Sequence, residues 1–359
     1  MFNCAYLIEG QRNDADKRKM AMAIRVAING FGRIGRAFFR RAWHIPGIEI
    51  AAIKDLAGPA TAAHLLRFDS VAGAFRRQVV NSETALFVDG KQVPYFSRTQ
   101  PEDLPWQSLG IDLVLEATGL FVDRAQASRH LEAGAGRVVI TAPSPDSDLT
   151  VVMGVNHGEL DPARHLIVSN ASCTTNCLAP LLKVLDETLR IEQGMFTSVH
   201  AYTNGQALPD QPHADMRRGR GGVGSMIPTT TGVLRAIYHV LPQLAGKIDG
   251  MSIRVPVPNV SLTDLVVRVG RKSVSGEINR ILRRAARGAL RGILAHTEKP
   301  LVSSDYNGNE HSAVVDGAMT KVIGGNLVRV VAWYDNEAAF ARRLVELVRL
   351  VGEEELGQW

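Results

Sequence analysis

The 359-residue chain reads as an α/β protein in two parts, a doubly wound parallel sheet in its first half and an α+β unit with a mainly antiparallel sheet in its second. Two observations predict this. From Ile24 to Val168 short apolar runs alternate with glycine turns and helical stretches, the rhythm of strand–helix–strand units whose sheet is covered on both faces. After Cys173 the apolar runs lengthen, become rich in β-branched residues and are broken by Pro and Gly, as antiparallel strands are.

Residues 1–22 have no apolar periodicity and are expected to form a disordered tail. The first unit, 23–172, opens with a strand over Ile24–Ile28, a turn from Gly30 to Gly35, a helix over Ala37–Trp43 and a strand over Ile48–Ile53. Further strands are expected at Leu113–Leu115, Val138–Ile140, Val151–Met153 and Leu166–Val168. A helix over Thr174–Leu185 then starts the second unit, 173–337, whose strands are Phe196–His200, Met251–Val257, Leu262–Val269 and Leu327–Tyr334. In the last segment Phe340, Leu344, Leu347 and Val348 recur at helical spacing, which predicts a helix over 338–359 closing back on the first unit.

A composition of 45% hydrophobic and 21% charged residues supports a large core. No apolar stretch approaches the roughly 18 residues of a membrane span, and the polar start does not read as a signal peptide, so a cytoplasmic protein with no membrane partner is expected. Of three cysteines, Cys4, Cys173 and Cys177, the last two lie four apart, which argues against a disulfide framework and leaves room for a working thiol. The net charge of +5 suits anionic ligands. The densest basic runs, Arg217-Arg218-Gly219-Arg220 and Arg283 to Arg291, lack interleaved aromatics and read as solvated helix faces or subunit contacts, so no primary nucleic-acid role is expected.

Gly30, Gly32 and Gly35 have the Gly-x-Gly-x-x-Gly spacing, with Arg33 and Ile34 between the last two. This lets the backbone turn tightly, approach a pyrophosphate and aim a helix N-terminus at it. The motif follows a strand and opens a helix, and Asp55 ends the next strand 20 residues after Gly35, where a carboxylate can hold both adenosine ribose hydroxyls. Those features mark a Rossmann dinucleotide site preferring NAD; Lys54, one residue earlier, leaves NADP open.

Cys173 stands where strand texture gives way to helix, so the positive end of the helix dipole is expected to favour its thiolate. Cys177, one turn deeper, reads as a buried inert thiol. A metal site on this pair would need two more soft ligands at matched spacing, and the sequence offers none. His200 ends a strand before a glycine- and proline-rich loop, a position from which an imidazole can reach a thiol on another element.

From residue 24 onward the chain resembles the phosphorylating glyceraldehyde-3-phosphate dehydrogenases. The strings Ile28-Asn29-Gly30-Phe31-Gly32-Arg33-Ile34-Gly35-Arg36 and Ser169-Asn170-Ala171-Ser172-Cys173-Thr174-Thr175-Asn176-Cys177 carry the likeness. So do His200-Ala201-Tyr202-Thr203-Asn204, Ile227-Pro228-Thr229-Thr230-Thr231-Gly232, Arg254-Val255-Pro256 and Trp333-Tyr334-Asp335-Asn336-Glu337, in the family's order. The resemblance implies that Cys173 attacks an aldehyde, that His200 takes the proton, and that inorganic phosphate releases the resulting thioester as an acyl phosphate. It implies Thr203 and Arg254 for the substrate's phosphate, and Ser172, Thr174, Thr231 and Gly232 for the attacking one. Asn336 is similar to the residue that fixes the nicotinamide carboxamide, Thr118-Gly119 to the turn beside its ribose, and a homotetramer is implied.

The chain departs from the family pattern in places. Ala338-Ala339-Phe340 replaces Trp-Gly-Tyr, Gly205-Gln206-Ala207 replaces Asp-Gln-Arg, and Lys54 replaces an Asn before the Asp. Two other readings therefore stand beside the first. Leu104-Pro105-Trp106 and the Ala313–Gly317 region resemble erythrose-4-phosphate dehydrogenases, a family without the Tyr202-Thr203 and Thr229–Gly232 strings at these positions. A catalytically weakened paralogue kept as a binding protein is the third.

Overall fold

The computed structural model describes residues 23–355. The expected tail 1–22, with Cys4, and the last residues of the expected closing helix lie outside them.

The first sheet contains β1 (Ile24–Asn29), β2 (Ile48–Lys54), β3 (Val79–Asn81), β4 (Ala85–Val88), β5 (Lys91–Phe96), β6 (Leu113–Glu116), β7 (Arg137–Ile140), β8 (Leu149–Thr150) and β9 (Ile167–Ser169). Its strand order is β3-β4-β5-β2-β1-β6-β7-β9-β8, parallel from β5 onward. Helices α1 (Arg33–Ala42), α2 (Pro59–Arg67) and α3 (Arg124–Glu132) connect the strands. The β3–β5 meander was not expected. Its sequence signal is Asp89-Gly90, both at positive φ (50° and 79°), which closes the two-residue hairpin that pairs Val88 with Lys91.

The second sheet follows α4 (Cys173–Leu189) and contains β10 (Ile191–Ala201), β11 (Ile227–Thr229), β12 (Ile248–Val255), β13 (Ser261–Val269), β14 (Leu294–Thr297), β15 (Ala313–Asp316), β16 (Lys321–Ile323) and β17 (Leu327–Tyr334). Five of its seven pairings are antiparallel, as expected; β10–β12 and β14–β15 are parallel. Helices α5 (Val233–Val240) and α6 (Ser275–Arg287) join α4 on one face, and α7 (Ala338–Glu355) ends the described chain.

Each sheet has its own core. Val26 and Ile28 of β1 meet Phe38 and Phe39 of α1, and against them lie Leu344, Leu347 and Val348 of α7, all fully buried. That is the helical stripe of the last segment at work: the C-terminal helix covers the first sheet although it follows the second. Truncating one such leucine to alanine costs about 2–5 kcal/mol. In β13 the period is two, with Leu265, Val267 and Val269 turned to the helices while Arg268 faces out.

One expected strand is displaced. Val151 and Val152 are fully buried, but β8 ends at Thr150: the Val151 amide still donates to the Ser169 carbonyl of β9 at 2.8 Å, and the Val152 amide turns away to Asn156 Oδ1 at 2.9 Å. Beyond Val151 the apolar run marks burial and not pairing.

Candidate active site

The glycine turn has three glycines with three different reasons. Gly30 lies at φ 97°, and a Cβ on it would come within 2.6 Å of the Thr118 amide. At Gly35 a Cβ would meet the Gly30 carbonyl oxygen at 2.1 Å, so α1 can pack on the turn only without a side chain there. At Gly32, the N-cap of α1, a Cβ would meet nothing within 4 Å. No side chain caps α1. Its first amides and dipole thus face open space, the surroundings an anionic pyrophosphate requires.

Asp55 closes the turn from the next strand: its Oδ2 accepts from the Phe31 amide (2.7 Å) and its Oδ1 from the Ala57 amide (2.9 Å). The Arg33 side chain is committed elsewhere, donating from Nε to Glu337 (2.8 Å) and from Nη1 to Asp69 (2.7 Å), with Nη2 also on Glu337. These bonds push its already high pKa further up. Arg33 therefore locks the start of α1 to the entry of α7, and what it can offer a ligand is its backbone. Thr118 is held by buried Glu116, which accepts from its amide at 2.8 Å and from its hydroxyl; Gly119 makes the following turn at φ 73°.

Cys173 is the first residue of α4. Ser172 caps the helix, its Oγ accepting from the Thr175 amide at 3.1 Å, and Ala171 before it is held at φ 55°, a conformation costly for alanine that turns the chain from β9 into the helix. His200 comes from β10, where strand register sets it beside Arg254 of β12 and opposite no other charge. The result is a Cys173 Sγ to His200 Nε2 distance of 3.3 Å.

His200 Nδ1 has two neighbours, the Ala201 carbonyl oxygen and Arg254 Nη1, each at 2.7 Å. They call for opposite tautomers. If Nδ1 carries the proton it donates to Ala201 and leaves Nε2 basic toward the thiol; if Arg254 donates to it, Nε2 carries the proton. Burial, with help from the Arg254 charge, brings the imidazole down to about 3, so it is neutral at physiological pH. Burial likewise pushes the Cys173 thiol up, against the pull of Arg254 and of hydrogen bonds around Thr174. Burial and the helix start thus act on the thiol in opposite directions: desolvation disfavours the thiolate, and the dipole at the N-terminus of α4 favours it. Cys177 is fully buried and pushed up further, in keeping with an inert role.

A single cleft of about 970 Å³ joins the two ends. Gly30, Gly32, Arg33, Ile34, Asp55 and Thr118 line one side of it, and Ser172, Cys173, His200, Thr203 and Asn336 the other. Asn336 is buried with its Oδ1 accepting from Ser261 at 3.1 Å, which leaves its NH₂ to donate into the cleft. The Thr203 hydroxyl donates to Gln206 Oε1 at 3.1 Å, so Gln206, between the replaced Gly205 and Ala207, ties that loop to itself.

The remaining candidates stand off the cleft lining. The Thr174 hydroxyl is buried against Tyr334 Oη at 2.8 Å, and Tyr334 in turn bonds Ser198 at 2.9 Å, its ring lying edge-on to His200. Thr231 caps α5 through the Val233 amide at 3.3 Å, with Gly232 as that helix's N-cap. Arg254 carries a buried Nε without a partner. Sequence reasoning missed Tyr334 as a support of the site, and also Arg218, whose Nη2 donates to the Thr230 carbonyl at 3.0 Å and whose charge reaches Arg254. Of the replaced residues, Ala338, Ala339 and Phe340 are all buried, and Phe340 joins the first core while lining the cleft. Among the described residues no cluster of three or more His, Cys, Asp or Glu is placed to hold a metal ion, and no helix is long and apolar enough to cross a membrane.

The family model for the glyceraldehyde 3-phosphate dehydrogenase NAD binding domain matches residues 24–124, and that for the C-terminal domain of the same enzyme matches residues 172–336. Glyceraldehyde-3-phosphate dehydrogenase 2 of Streptomyces avermitilis is 49% identical over 334 residues, covering 93% of this chain and 100% of its own. The glyceraldehyde-3-phosphate dehydrogenase of Geobacillus stearothermophilus is 49% identical over 335 residues with the same coverage, and glyceraldehyde-3-phosphate dehydrogenase 2 of Bacillus subtilis 50% identical over 330 residues, covering 92% and 97%. With a glycine turn, a cysteine–histidine pair and both family models on one chain, the protein belongs to the glyceraldehyde-3-phosphate dehydrogenase family.

Proposed function

We propose that this NAD-dependent oxidoreductase oxidises glyceraldehyde 3-phosphate, with inorganic phosphate, to 1,3-bisphosphoglycerate, the phosphorylating step of glycolysis and, in reverse, of gluconeogenesis. The observation that carries the reading is the 3.3 Å Cys173–His200 contact at the N-terminus of α4, inside the cleft that also holds the glycine turn and Asp55.

The residues fit a dinucleotide: the open space over Gly32 would take the pyrophosphate, Asp55 would hold the ribose, and the free Asn336 NH₂ would hold the carboxamide. When bound, NAD supplies the acceptor for the aldehyde's hydride. The chain does the rest. His200 Nε2 takes the Cys173 proton as sulfur attacks the carbonyl carbon, then returns it to the oxyanion that the α4 amides steady, which gives the hemithioacetal. As the hemithioacetal is oxidised, His200 takes its hydroxyl proton, giving a thioester on Cys173. Phosphate then attacks the thioester carbon, and the thiolate leaves as the acyl phosphate forms. For the phosphates, the partnerless Arg254 Nε, neighbouring Arg218, and the Thr231–Gly232 start of α5 supply cationic and amide donors.

The same reading places the enzyme in the cytoplasm as a homotetramer. Support for assembly comes from exposed apolar side chains on the outer face of the second sheet, Met195 (68% exposed) and Met251 (46%). The test of function is NADH formation with glyceraldehyde 3-phosphate and with erythrose 4-phosphate, each with and without phosphate. Faster phosphate-dependent turnover of the triose is expected; preference for the tetrose, or no turnover of either, would overturn it.

A further inference from the structure

Lys54 has a largely buried side chain whose ammonium finds no partner among the described residues. It ends β2 and is only 4% exposed, yet it lines the cofactor cleft, and among the described residues its ammonium has no hydrogen-bond or ion-pair partner. The stem is packed away while the nitrogen is not fully enclosed, so the ammonium reaches the open cleft.

The acids nearby are occupied. Strand register sets Lys54 beside Asn29 and Asn29 beside Glu116, so Glu116 stands two strands away, about 10 Å at ordinary strand spacing. Glu116 is engaged by Asn29, by Thr118 and by His130 at 3.1 Å. Asp55, the next residue, holds the Phe31 and Ala57 amides with its two oxygens. Burial pulls the ammonium's pKa down while Glu116 and Asp55 pull it up from a distance, and burial prevails.

We infer that Lys54 anchors a 2′-phosphate on the adenosine ribose, so that the cleft takes NADP as well as NAD. The inference rests on the dinucleotide reading of the cleft and adds a specificity to it. Asp55 at the strand end discriminates against a 2′-phosphate by like charge. Here that charge already serves two amides, and the residue before it brings an ammonium into the same cleft. A compact ammonium on a flexible stem suits a phosphate approached as a point charge. NAD leaves this lysine unpaired; a 2′-phosphate would give it its missing partner.

The test is calorimetric affinity for NAD and for NADP, without aldehyde, in the wild type, Lys54→Gln, Lys54→Met and Lys54→Arg. Removing the charge should widen the NADP-to-NAD ratio of dissociation constants at least tenfold in both neutral variants, and the arginine should hold the ratio within threefold of wild type. Because each variant is its own reference, a loss of stability cancels in the ratio. A ratio that moves less than tenfold in the neutral variants, including equal loss of both ligands, overturns the proposal and makes Lys54 a structural counter-charge to Glu116. Absence of NAD binding by the wild type would instead overturn the dinucleotide reading itself.

Discussion

The two ends of the cleft are built by different means. The Gly30–Asp55 end is made of backbone: a turn at φ 97°, an uncapped helix start and a carboxylate holding two amides, all within 26 residues of chain. The Cys173–His200 end is made of side chains brought from separate elements, with Arg254, Tyr334 and Ser198 around them. One end is a shape that accepts a charge; the other is a proton path. Substitutions should therefore fail differently at each.

The largest effect is expected at the sulfur. Cys173→Ser should abolish hydride transfer, because a neutral imidazole at about 3 is too weak a base to produce an alkoxide, whereas Cys177→Ser, buried away from the cleft, should cost far less. Comparable losses of kcat in both would break the distinction between the two thiols.

Next comes the proton path. His200→Asn should slow single-turnover NADH formation by about 10²- to 10⁴-fold, the usual worth of a general base, while NAD affinity stays because the backbone end is untouched. A loss that appears in KM for NAD with kcat intact would mean that the two ends are not separable.

At the backbone end, alanine at two glycines should part stability from binding. Gly35→Ala forces a Cβ onto the Gly30 carbonyl at 2.1 Å and should lower unfolding stability by about 3 kcal/mol along with NAD affinity. In Gly32→Ala the new methyl meets no protein atom within 4 Å, so urea unfolding should match wild type while calorimetric NAD affinity falls at least tenfold. Equal destabilisation by both would show that Gly32 serves the fold and not the ligand.

This contrast also explains what the sequence could reveal. Gly30, Gly32, Gly35 and Asp55 were legible because their job depends on spacing along one strand–turn–helix unit. The Cys173 position was legible as a strand-to-helix junction, but the desolvation that opposes its thiolate was not, because it comes from packing around the sulfur by elements distant in sequence. His200 was one histidine of ten until register set it beside Arg254 and within reach of the thiol. Arg33 was legible as a member of the motif and not as a clamp, since Glu337 lies 304 residues away. Val151–Met153 misled because full burial and strand pairing leave the same apolar trace.

The smallest effect concerns acid. An imidazole held down to about 3 in the fold, against an unfolded value of about 6.5, leaves the unfolded chain binding the extra proton between those limits. Its contribution to stability is complete above pH 6.5 and is lost as pH falls toward 3, by up to about 1.4 kcal/mol per pH unit. The difference between wild type and His200→Asn in urea unfolding at pH 7 and pH 5 isolates it. A difference that does not change with pH would contradict the buried neutral imidazole.

In this mechanism oxidation passes through a thioester on Cys173 that phosphate discharges. Wild-type protein mixed with NAD and glyceraldehyde 3-phosphate in phosphate-free buffer, quenched in acid and fragmented for tandem mass spectrometry, tests it most directly. One phosphoglyceroyl group per chain is predicted on Cys173, none on Cys177, and its loss on adding phosphate before the quench. NADH formed with no acyl group on Cys173, or with the group on Cys177, would contradict the account.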